Sequence, residues 1–405
     1  MMQKLFPWMM VAIAALTMVP GLRGPSSAPG QPDVHAFGRI PVVNNGRVKP
    51  MDTIARTHLR IMSNRETFKD KSGASRSAIE WLLDVEADER ESASHPVFRI
   101  DHPQLLNSLG LQPKEGFRYS IDDFGAKLQS LGPALETAHR RKEENRPLDA
   151  FETQLFEFER HLAYYQRLAD FQIPHSIPPR NGKDWLTLKE AVPQSGGVGM
   201  DPHVDAWRTM ISSYRAKDAA KFNAAVESYL TRMKEERPAD LRRAAVETRF
   251  NYIDPFNSAK WLYLVGFVLA SLAWLGWSKP LNRGAWGLMA FTFIVHTGAL
   301  IVRMYLSGRP PVTNLYSSAI FIGWGCVLLG LVLELIYKIG IGNIVAAVAG
   351  FATLQIAHVL AAEGDTMEVL QAVLDTQFWL ATHVTCITLG YATTYVAGLL
   401  GLIFI

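Results

Sequence analysis

Two arginines, Arg303 and Arg309, stand in a short polar stretch between two apolar runs, where a membrane hairpin needs no charge in order to turn. The stretch spans residues 303–318, reads RMYLSGRPPVTNLYSS, and also carries Asn314 and Tyr316. Guanidinium groups bind carboxylates and phosphates through paired hydrogen bonds. These residue types predict a binding site for a ligand with acidic groups. The alternative is that both arginines only reach lipid phosphates at the bilayer surface.

Three histidines, His296, His358 and His383, lie in the apolar half of the chain. Neutral imidazole is the commonest protein ligand of heme iron. Helix counting places His296 near mid-membrane and puts His358 and His383 at similar depth on either side of one loop, so the latter two are candidate iron ligands. Flat apolar surface for a porphyrin could come from Trp324, Tyr316, Trp379 and Tyr391. A single membrane histidine, however, is more often a hydrogen-bonding residue between helices, and a membrane aromatic is more often a packing residue.

The chain that must position these residues has two chemically different halves. It has 405 residues, of which 48% are hydrophobic and 20% charged, and a formal net charge of +3. Residues 31 to about 252 are polar and dense in charge, whereas residues 256–405 are almost continuously apolar. The only cysteines are Cys326 and Cys386, and there is no CxxC or CxxCH motif, which argues against a thiol oxidoreductase or a c-type cytochrome. No basic stripe or RNA-binding motif is present, so we expect no nucleic-acid partner.

The pattern predicts an all-α protein in three parts. Residues 1–30 have a basic start, an apolar run and a Gly/Pro/Ser-rich end, typical of a signal peptide or signal anchor. Residues 31–255 are predicted to form a mainly helical extracytoplasmic domain, with helical periodicity at 151–171, 219–233 and 239–250. Residues 256–405 are predicted to form a membrane domain of about five helices, from apolar runs at 260–277, 285–306, 317–337, 342–362 and 378–405.

Loop charges predict the orientation of these helices. The loop at 278–284 carries Lys279 and Arg283 without an acid, and Lys338 marks a second basic loop, whereas the loop at 363–376 carries four acids and no base. The positive-inside rule therefore places 278–284 in the cytoplasm, and places 31–251 and 363–376 outside. Arg303 and Arg309 break the rule on the outer side, which favours a functional role. Glu334, near the inner end of its helix, is predicted to be interfacial.

Several segments resemble the CcsA/ResC type of cytochrome c assembly protein. Residues 38–56, GRIPVVNNGRVKPMDTIAR, resemble a segment that precedes the CcsA part in fused ResB–CcsA proteins, and residues 247–263 resemble the entry into its first helix. Residues 296–316 are similar to the family's "HT.GL..RWYISG..P..N.Y", with Met304 in place of its Trp and Ser317 where Glu is common. Residues 378–391 resemble its "YWL..HV.....YA" helix, and there His383 matches the family's first external heme-ligand histidine.

The resemblance implies a multi-pass protein of the bacterial cytoplasmic membrane that handles heme b at the outer face for attachment to apocytochrome c. It implies a ResB-like partner and lipid contacts, and leaves open whether the chain is an enzymatic part of a cytochrome c synthase (heme lyase) complex. The family's Trp-rich WWD segment and second external histidine are not found, so the sequence is expected to be a partial product, a split subunit or a truncated form. His296 inherits no family role.

Two alternative functions follow from the same residues. The chain could be a non-catalytic scaffold that docks ResB-like partners or apocytochrome, which the missing WWD segment favours. It could instead transport another solute, using His296 and Arg303 as a polar path. The position of His383 in its motif favours heme handling.

Overall fold

A computed structural model describes residues 2–179, 184–194, 201–276, 278–367 and 377–405. The chain divides into two compact units. Met1–Pro25 and Arg249–Ile405 form one unit, here called the membrane unit, and Ser26–Thr248 form the other, called the polar unit. The first helix, α1 (Met2–Arg23), belongs to the membrane unit.

Helices dominate the polar unit, with small sheets between them. The helices are α2 (Val34–Gly38), α3 (Met51–Ser63), α4 (Ala78–Ala87), α5 (Glu89–Ala93), α6 (Pro103–Ser108), α7 (Ile121–Phe124), α8 (Gly132–Glu143), α9 (Ala150–Ala169), α10 (Leu188–Gln194), α11 (Pro202–Arg215), α12 (Ala219–Glu236) and α13 (Pro238–Ile253), the last of which runs on into the membrane unit. The strands are β1 (Pro41–Asn44), β2 (Arg47–Pro50), β3 (Thr67–Lys69), β4 (Ser75–Ser77), β5 (Phe98–Arg99), β6 (Arg118–Tyr119), β7 (His175–Ile177) and β8 (Leu186–Thr187). They form a sheet of order β2-β1-β7-β8 and the pairs β3-β4 and β5-β6.

The hairpin β1–β2 begins the polar unit's largest sheet. Its strands pair antiparallel from Pro41↔Pro50 to Asn44↔Arg47, so the turn consists of Asn45 and Gly46 alone. Both turn residues have positive φ, 51° and 71°. This is the backbone that Asn-Gly favours in two-residue hairpins, and it is the reason why the chain reverses there. The segment at 38–56, which carries one family motif, is therefore a hairpin followed by the start of α3.

The long helix α9 shows why the helical periodicity was a reliable signal. Asp149 caps its first turn and accepts a hydrogen bond from the Glu152 N–H, in a capping box. One face of the helix buries Leu155, Phe158 and Leu168. Phe158 meets the rings of Phe98 and Phe124, whose centroids lie 5.3 Å apart. Burial of a side chain of this size stabilises the fold by about 1.5–3 kcal/mol.

A buried ion pair joins the hairpin to α13 within the polar unit. The Arg47 guanidinium donates two hydrogen bonds to the Glu247 carboxylate, and the Thr53 hydroxyl donates another to the same carboxylate at 2.8 Å. The side chains of Arg47 and Glu247 are both buried. Removal of one partner of such a pair costs far more than loss of an exposed ion pair, because the remaining charge stays out of water.

Five further helices form the rest of the membrane unit. They are α14 (Pro255–Leu275), α15 (Ser278–Ser307), α16 (Leu315–Tyr337), α17 (Ile341–Leu360) and α18 (Gln377–Phe404). In the described part of the chain, five helices are long and apolar enough to cross a membrane, which confirms the number predicted from the apolar runs. The mainly helical character of both halves is also confirmed, whereas the small sheets of the polar unit were not predicted.

Small residues set the helix spacing in the membrane unit. A Cβ atom on Gly330 of α16 would lie 2.8 Å from the carbonyl oxygen of Gly342, at the start of α17. A Cβ atom on Gly350 of α17 would lie 2.7 Å from the ring of Tyr263 on α14. Backbones can approach this closely only without side chains between them, as is common in membrane helix pairs. Helix α1 packs along α15, where Gly284 lies against the ring of Phe6.

Hydrogen bonds define the two ends of the helix bundle. At one end, here the Asn282 end, Trp274 Nε1 donates to the Ile339 carbonyl at 3.0 Å. At the other, here the Arg303 end, Arg303 Nη1 donates to Thr366 Oγ1 at 3.0 Å. The loops therefore alternate between the ends as the predicted topology requires. The predicted loop at 363–376 falls partly outside the described residues, because residues 368–376 are not among them.

Candidate functional site

The loop between α15 and α16 is shaped by its own sequence. Gly308 has φ 64°, a left-handed conformation that ends α15 at little cost, and two prolines follow at 310 and 311. Asn314 then caps α16, since its Oδ1 accepts the Ser317 N–H at 2.9 Å and Ser317 Oγ accepts the Asn314 N–H at 2.8 Å. Ser317 thus performs at the third helical position the capping role that a Glu can also perform.

Arg303 is the centre of a cluster at this end of the bundle. Only 6% of its surface is exposed. Its guanidinium donates to both the hydroxyl and the carbonyl oxygen of Thr366, and it lies 4.6 Å from the centroid of the Tyr316 ring. Asn314 Nδ2 donates to the same Thr366 carbonyl at 3.0 Å. The structure therefore brings together Arg303, Asn314 and Tyr316, and it adds Thr366, which the sequence analysis did not single out.

Arg309 shares a narrow cleft with Arg303. Both arginines line it, together with Met304, Ser307 and Met367. Arg309 is half-buried, and its backbone N–H donates to Ser307 Oγ at 3.3 Å. The cleft has a volume of about 10 Å³, roughly the space of one water molecule, and is far too small for a porphyrin ring. A larger acidic ligand would have to place only its anionic edge there.

The candidate iron ligands lie on exposed helix surface. His358 stands near the end of α17 and His383 in the second turn of α18, and both side chains are exposed. Trp379 is 68% exposed and meets Phe378 edge-on, with ring centroids 5.3 Å apart. Tyr391 is exposed as well. Imidazole and indole on an open helix face are accessible to a ligand that arrives from the bilayer or from the Arg303 end.

His296 and Trp324 are packed against other helices inside the membrane unit. His296 is completely buried, with its Nδ1 3.2 Å from the Tyr263 hydroxyl oxygen and its ring edge-on to Phe256 at 5.7 Å. Trp324 stacks between Phe293 and Phe321 and donates from Nε1 to Thr297 Oγ1 at 2.9 Å. These contacts are of the kind that holds membrane helices together.

A second polar cluster, at the Asn282 end, was missed by sequence reasoning. Asn282 Nδ2 donates to Glu334 Oε1 at 2.6 Å, and Asn343 Nδ2 donates to Asn282 Oδ1 at 2.7 Å. Glu334 also accepts the Gly340 N–H at 3.0 Å and is only 4% exposed. Glu334 is therefore a buried residue that joins α16 to Asn282 of α15 and to Gly340 before α17. The signal that could have found it is an acid and two asparagines near the ends of apolar runs.

No group of three or more His, Cys, Asp or Glu side chains in the described part of the chain is arranged to hold a metal ion. An axial ligand of heme iron needs no such group, because the porphyrin supplies the other four nitrogens. The observation therefore concerns free metal ions and leaves His383 as a prediction.

The comparisons with known proteins agree with the motifs. No protein-family model matches the chain. Protein NrfI of Wolinella succinogenes is 25% identical over 384 residues, which are 90% of this chain and 41% of that protein. Cytochrome c biogenesis protein CcsA of Synechococcus is 31% identical over 161 residues, 36% of this chain and 50% of that protein. Over these residues the chain is similar to part of the CcsA proteins.

The chain is also similar to a CcsA protein from a plant. The CcsA protein of Gossypium barbadense is 35% identical over 119 residues, 28% of this chain and 36% of that protein. The predicted resemblance to the CcsA/ResC type is thereby confirmed. The chain spans half or less of the length of each of these relatives.

Proposed function

We propose that this chain is a membrane component of cytochrome c assembly, which handles heme at the outer face of the bacterial cytoplasmic membrane for attachment to apocytochrome c. The observation that carries the proposal is the 31% identity to a protein named for cytochrome c biogenesis over 36% of this chain. The five apolar helices fit a protein that works within a membrane. We further propose that the heme is heme b and that a ResB-like subunit is a partner.

The cleft at the Arg303 end supports a role for the arginines on heme propionates. Both Arg303 and Arg309 line the cleft, and guanidinium matches carboxylate geometry. Arg303 already donates to Thr366, so Arg309, whose side chain is half-exposed, is the better direct propionate contact. In this assignment Arg303 contributes positive charge to the cleft and fixes its wall, while Asn314 holds the same Thr366 carbonyl.

We propose His383 as an axial ligand of the heme iron, with His358 as the alternative partner from this chain. His383 is exposed in the second turn of α18, so its imidazole can reach an iron outside the helix bundle. Trp379 lies one helical turn before it, and residues four apart share a face of a helix. The pair could therefore offer a nitrogen ligand and a flat apolar surface to the same porphyrin.

The orientation in the membrane is part of the proposal. The Asn282 end carries Lys279, Arg283 and Lys338, so the positive-inside rule puts that end in the cytoplasm and the Arg303 end outside. Helix α1 starts at the cytoplasmic end beside α15 and is proposed to be retained as an anchor. Reporter fusions at Gly284 and Gly364 should report opposite compartments. The same compartment for both would overturn the helix count.

The test of heme handling is a cavity-rescue experiment. The chain and its His383→Gly and His358→Gly variants are purified with heme, and heme content and absorption spectra are recorded with and without added imidazole. We expect His383→Gly to lose its low-spin spectrum and to regain it with imidazole, because the small ligand replaces the missing side chain. His296→Gly is the control, since His296 is buried against Tyr263. An unchanged spectrum in His383→Gly would remove it as a ligand.

A non-catalytic scaffold is the second candidate, and the contacts of Arg303 fit it as well as they fit a heme site. The Arg303 guanidinium joins α15 to the segment that contains Thr366, and a docking surface needs such a fixed segment as much as a heme site does. The two functions predict different heme contents for the purified protein, because only a heme-handling protein should carry heme in stoichiometric amount. A scaffold would be recovered with an apocytochrome or a ResB-like protein but without heme, whatever the residue at position 383.

A further inference from the structure

A large cleft lies at the Asn282 end of the membrane unit, away from the proposed heme site. Its volume is about 1080 Å³, and it is formed by α1, α14, α15 and α16 with the loop that follows α16. Three tryptophans and three basic residues stand out in its wall: Trp8, Trp274, Trp286, Lys279, Arg283 and Lys338. Volumes of roughly 300–1,000 Å³ are usual for sites of small organic ligands.

The charge in this cleft is positive where it is accessible. Lys279, Arg283 and Lys338 are exposed, and no ion pair found among the described residues involves them. The one acid in the wall, Glu334, is buried, and its carboxylate is held by Asn282 and by the Gly340 N–H. An anion at the mouth of the cleft would therefore be attracted by three exposed cations, whereas the single acid of the wall is buried.

The wall of the cleft is held in shape by hydrogen bonds. Trp274 Nε1 donates to the Ile339 carbonyl at 3.0 Å, and Trp286 Nε1 donates to the Leu331 carbonyl at 3.4 Å. Both indoles therefore have their polar edge satisfied by protein, and Trp274 is 52% exposed whereas Trp286 is partly buried. Tryptophan at the level of lipid headgroups is characteristic of membrane proteins, because the ring is apolar and the N–H needs a partner.

The apolar floor of the cleft continues toward the middle of the bundle. It is lined there by Val11 of α1 and by Phe291 and Ile294 of α15, and Ile294 is 68% exposed. Such a surface suits hydrocarbon chains and is unsuited to a free, fully hydrated anion. The cleft thus combines cationic side chains at one end with an open apolar surface beyond them, which is complementary to a molecule with an anionic head and an acyl tail.

We propose that this cleft binds one anionic phospholipid, with its phosphate between Lys279, Arg283 and Lys338 and its acyl chains along the apolar floor. The planar guanidinium of Arg283 can donate paired hydrogen bonds to two phosphate oxygens, and the lysines add positive charge. Basic clefts between membrane helices on the cytoplasmic side are suited to anionic headgroups. The lipid would fasten α1 to α15 and α16, and this role does not depend on heme.

Native mass spectrometry of the delipidated full chain in detergent tests the proposal. Phosphatidylglycerol and phosphatidylcholine with the same acyl chains are titrated separately, because they differ in net charge and not in tail. We expect one tightly bound phosphatidylglycerol per chain, and at least tenfold weaker binding of phosphatidylcholine. The variant Lys279→Gln/Arg283→Gln/Lys338→Gln should bind both lipids equally weakly. Lys71→Gln, at an exposed lysine of the polar unit outside both proposed sites, is the control and should bind as the unchanged chain does.

Several results would overturn the proposal. Equal binding of the two lipids by the unchanged chain would show that charge does not select the ligand, and so would undiminished phosphatidylglycerol binding by the triple variant. Displacement of phosphatidylglycerol by millimolar inorganic phosphate would mark a headgroup site without acyl contacts. Displacement by stoichiometric heme, lost in the triple variant, would make the cleft a porphyrin site. The lipid titrations do not depend on the imidazole rescue of His383→Gly, so the lipid proposal can fail while the heme proposal stands, and the reverse.

Discussion

Replacement of Arg303 by lysine should loosen the Arg303 end of the bundle although the positive charge is kept. The guanidinium donates to both oxygens of Thr366 and lies over the ring of Tyr316. A lysine ammonium at the same place can donate to one of the Thr366 oxygens but cannot reproduce the planar fork. The substitution thus separates the geometry of arginine from its charge.

The expected cost follows from the lost contacts. One hydrogen bond from a charged donor contributes about 1.5–3 kcal/mol, and cation–π contact adds about 0.5–2 kcal/mol, part of which lysine retains. Because Arg303 is only 6% exposed, solvent screens these contacts little. We therefore expect Arg303→Lys to weaken the attachment of the Thr366 segment to α15 by about 2 kcal/mol, which is about 30-fold in the equilibrium for opening of that segment.

Hydrogen exchange followed by mass spectrometry measures this opening. Peptides that cover residues 361–367 contain the Met367 N–H, which donates to Asp365 Oδ1 at 2.9 Å. Their exchange should accelerate by about 30-fold in Arg303→Lys, in line with the loss of about 2 kcal/mol. Arg309→Lys is the control, because it makes the same substitution in the same cleft without touching a contact to Thr366, and it should leave exchange unchanged.

Equal exchange in Arg303→Lys and the unchanged chain would refute the structural role of the fork. Acceleration of the same size in Arg309→Lys would also refute it, because the effect would then report the electrostatics of the cleft as a whole.

Three further substitutions test the fold. Glu247→Gln should destabilise the polar unit by about 3–5 kcal/mol, because the Arg47 charge stays buried without its partner. Asp101→Asn, in an exposed ion pair with Arg99, should cost under about 1 kcal/mol. Pulse proteolysis in urea measures both changes. Burial lowers the pKa of His161 from its ordinary 6.5 to about 4, although the exposed Glu157 carboxylate lies 3.9 Å away. Between pH 6.5 and about pH 4 the unfolded chain therefore binds a proton at His161 that the folded chain does not bind. The free energy of unfolding should fall by about 3 kcal/mol as the pH drops through this range, and His161→Gln should remove this part of the pH dependence in the same assay. Gly330→Ala should cost about 1–3 kcal/mol, seen as a lower melting temperature in detergent, because its Cβ would lie 2.8 Å from a backbone carbonyl of the facing helix.

Much of the architecture was determined by local sequence. Apolar runs of membrane length predicted the five long helices, because a bilayer demands about 20 apolar residues in each helix that crosses it. Helical periodicity found α9 and α12, since one face of each must be buried. The Asn45–Gly46 dipeptide is also a local signal for the hairpin turn, but helical periodicity does not reveal it. The motifs around residues 38–56, 296–316 and 378–391 were enough to indicate the resemblance to CcsA proteins.

Only the tertiary structure decided which polar residues meet. Arg303 and Thr366 are 63 positions apart, and Arg47 and Glu247 are 200 apart, so no periodicity or spacing links them. The packing of helices also separated two histidines that looked alike in sequence, because His296 is enclosed against Tyr263 whereas His383 is exposed. In the same way, Glu334 became a buried tie between helices once Asn282 and Gly340 were placed beside it. A chain's sequence specifies which faces are apolar, but the partner of each buried polar group is fixed only when those faces are packed together.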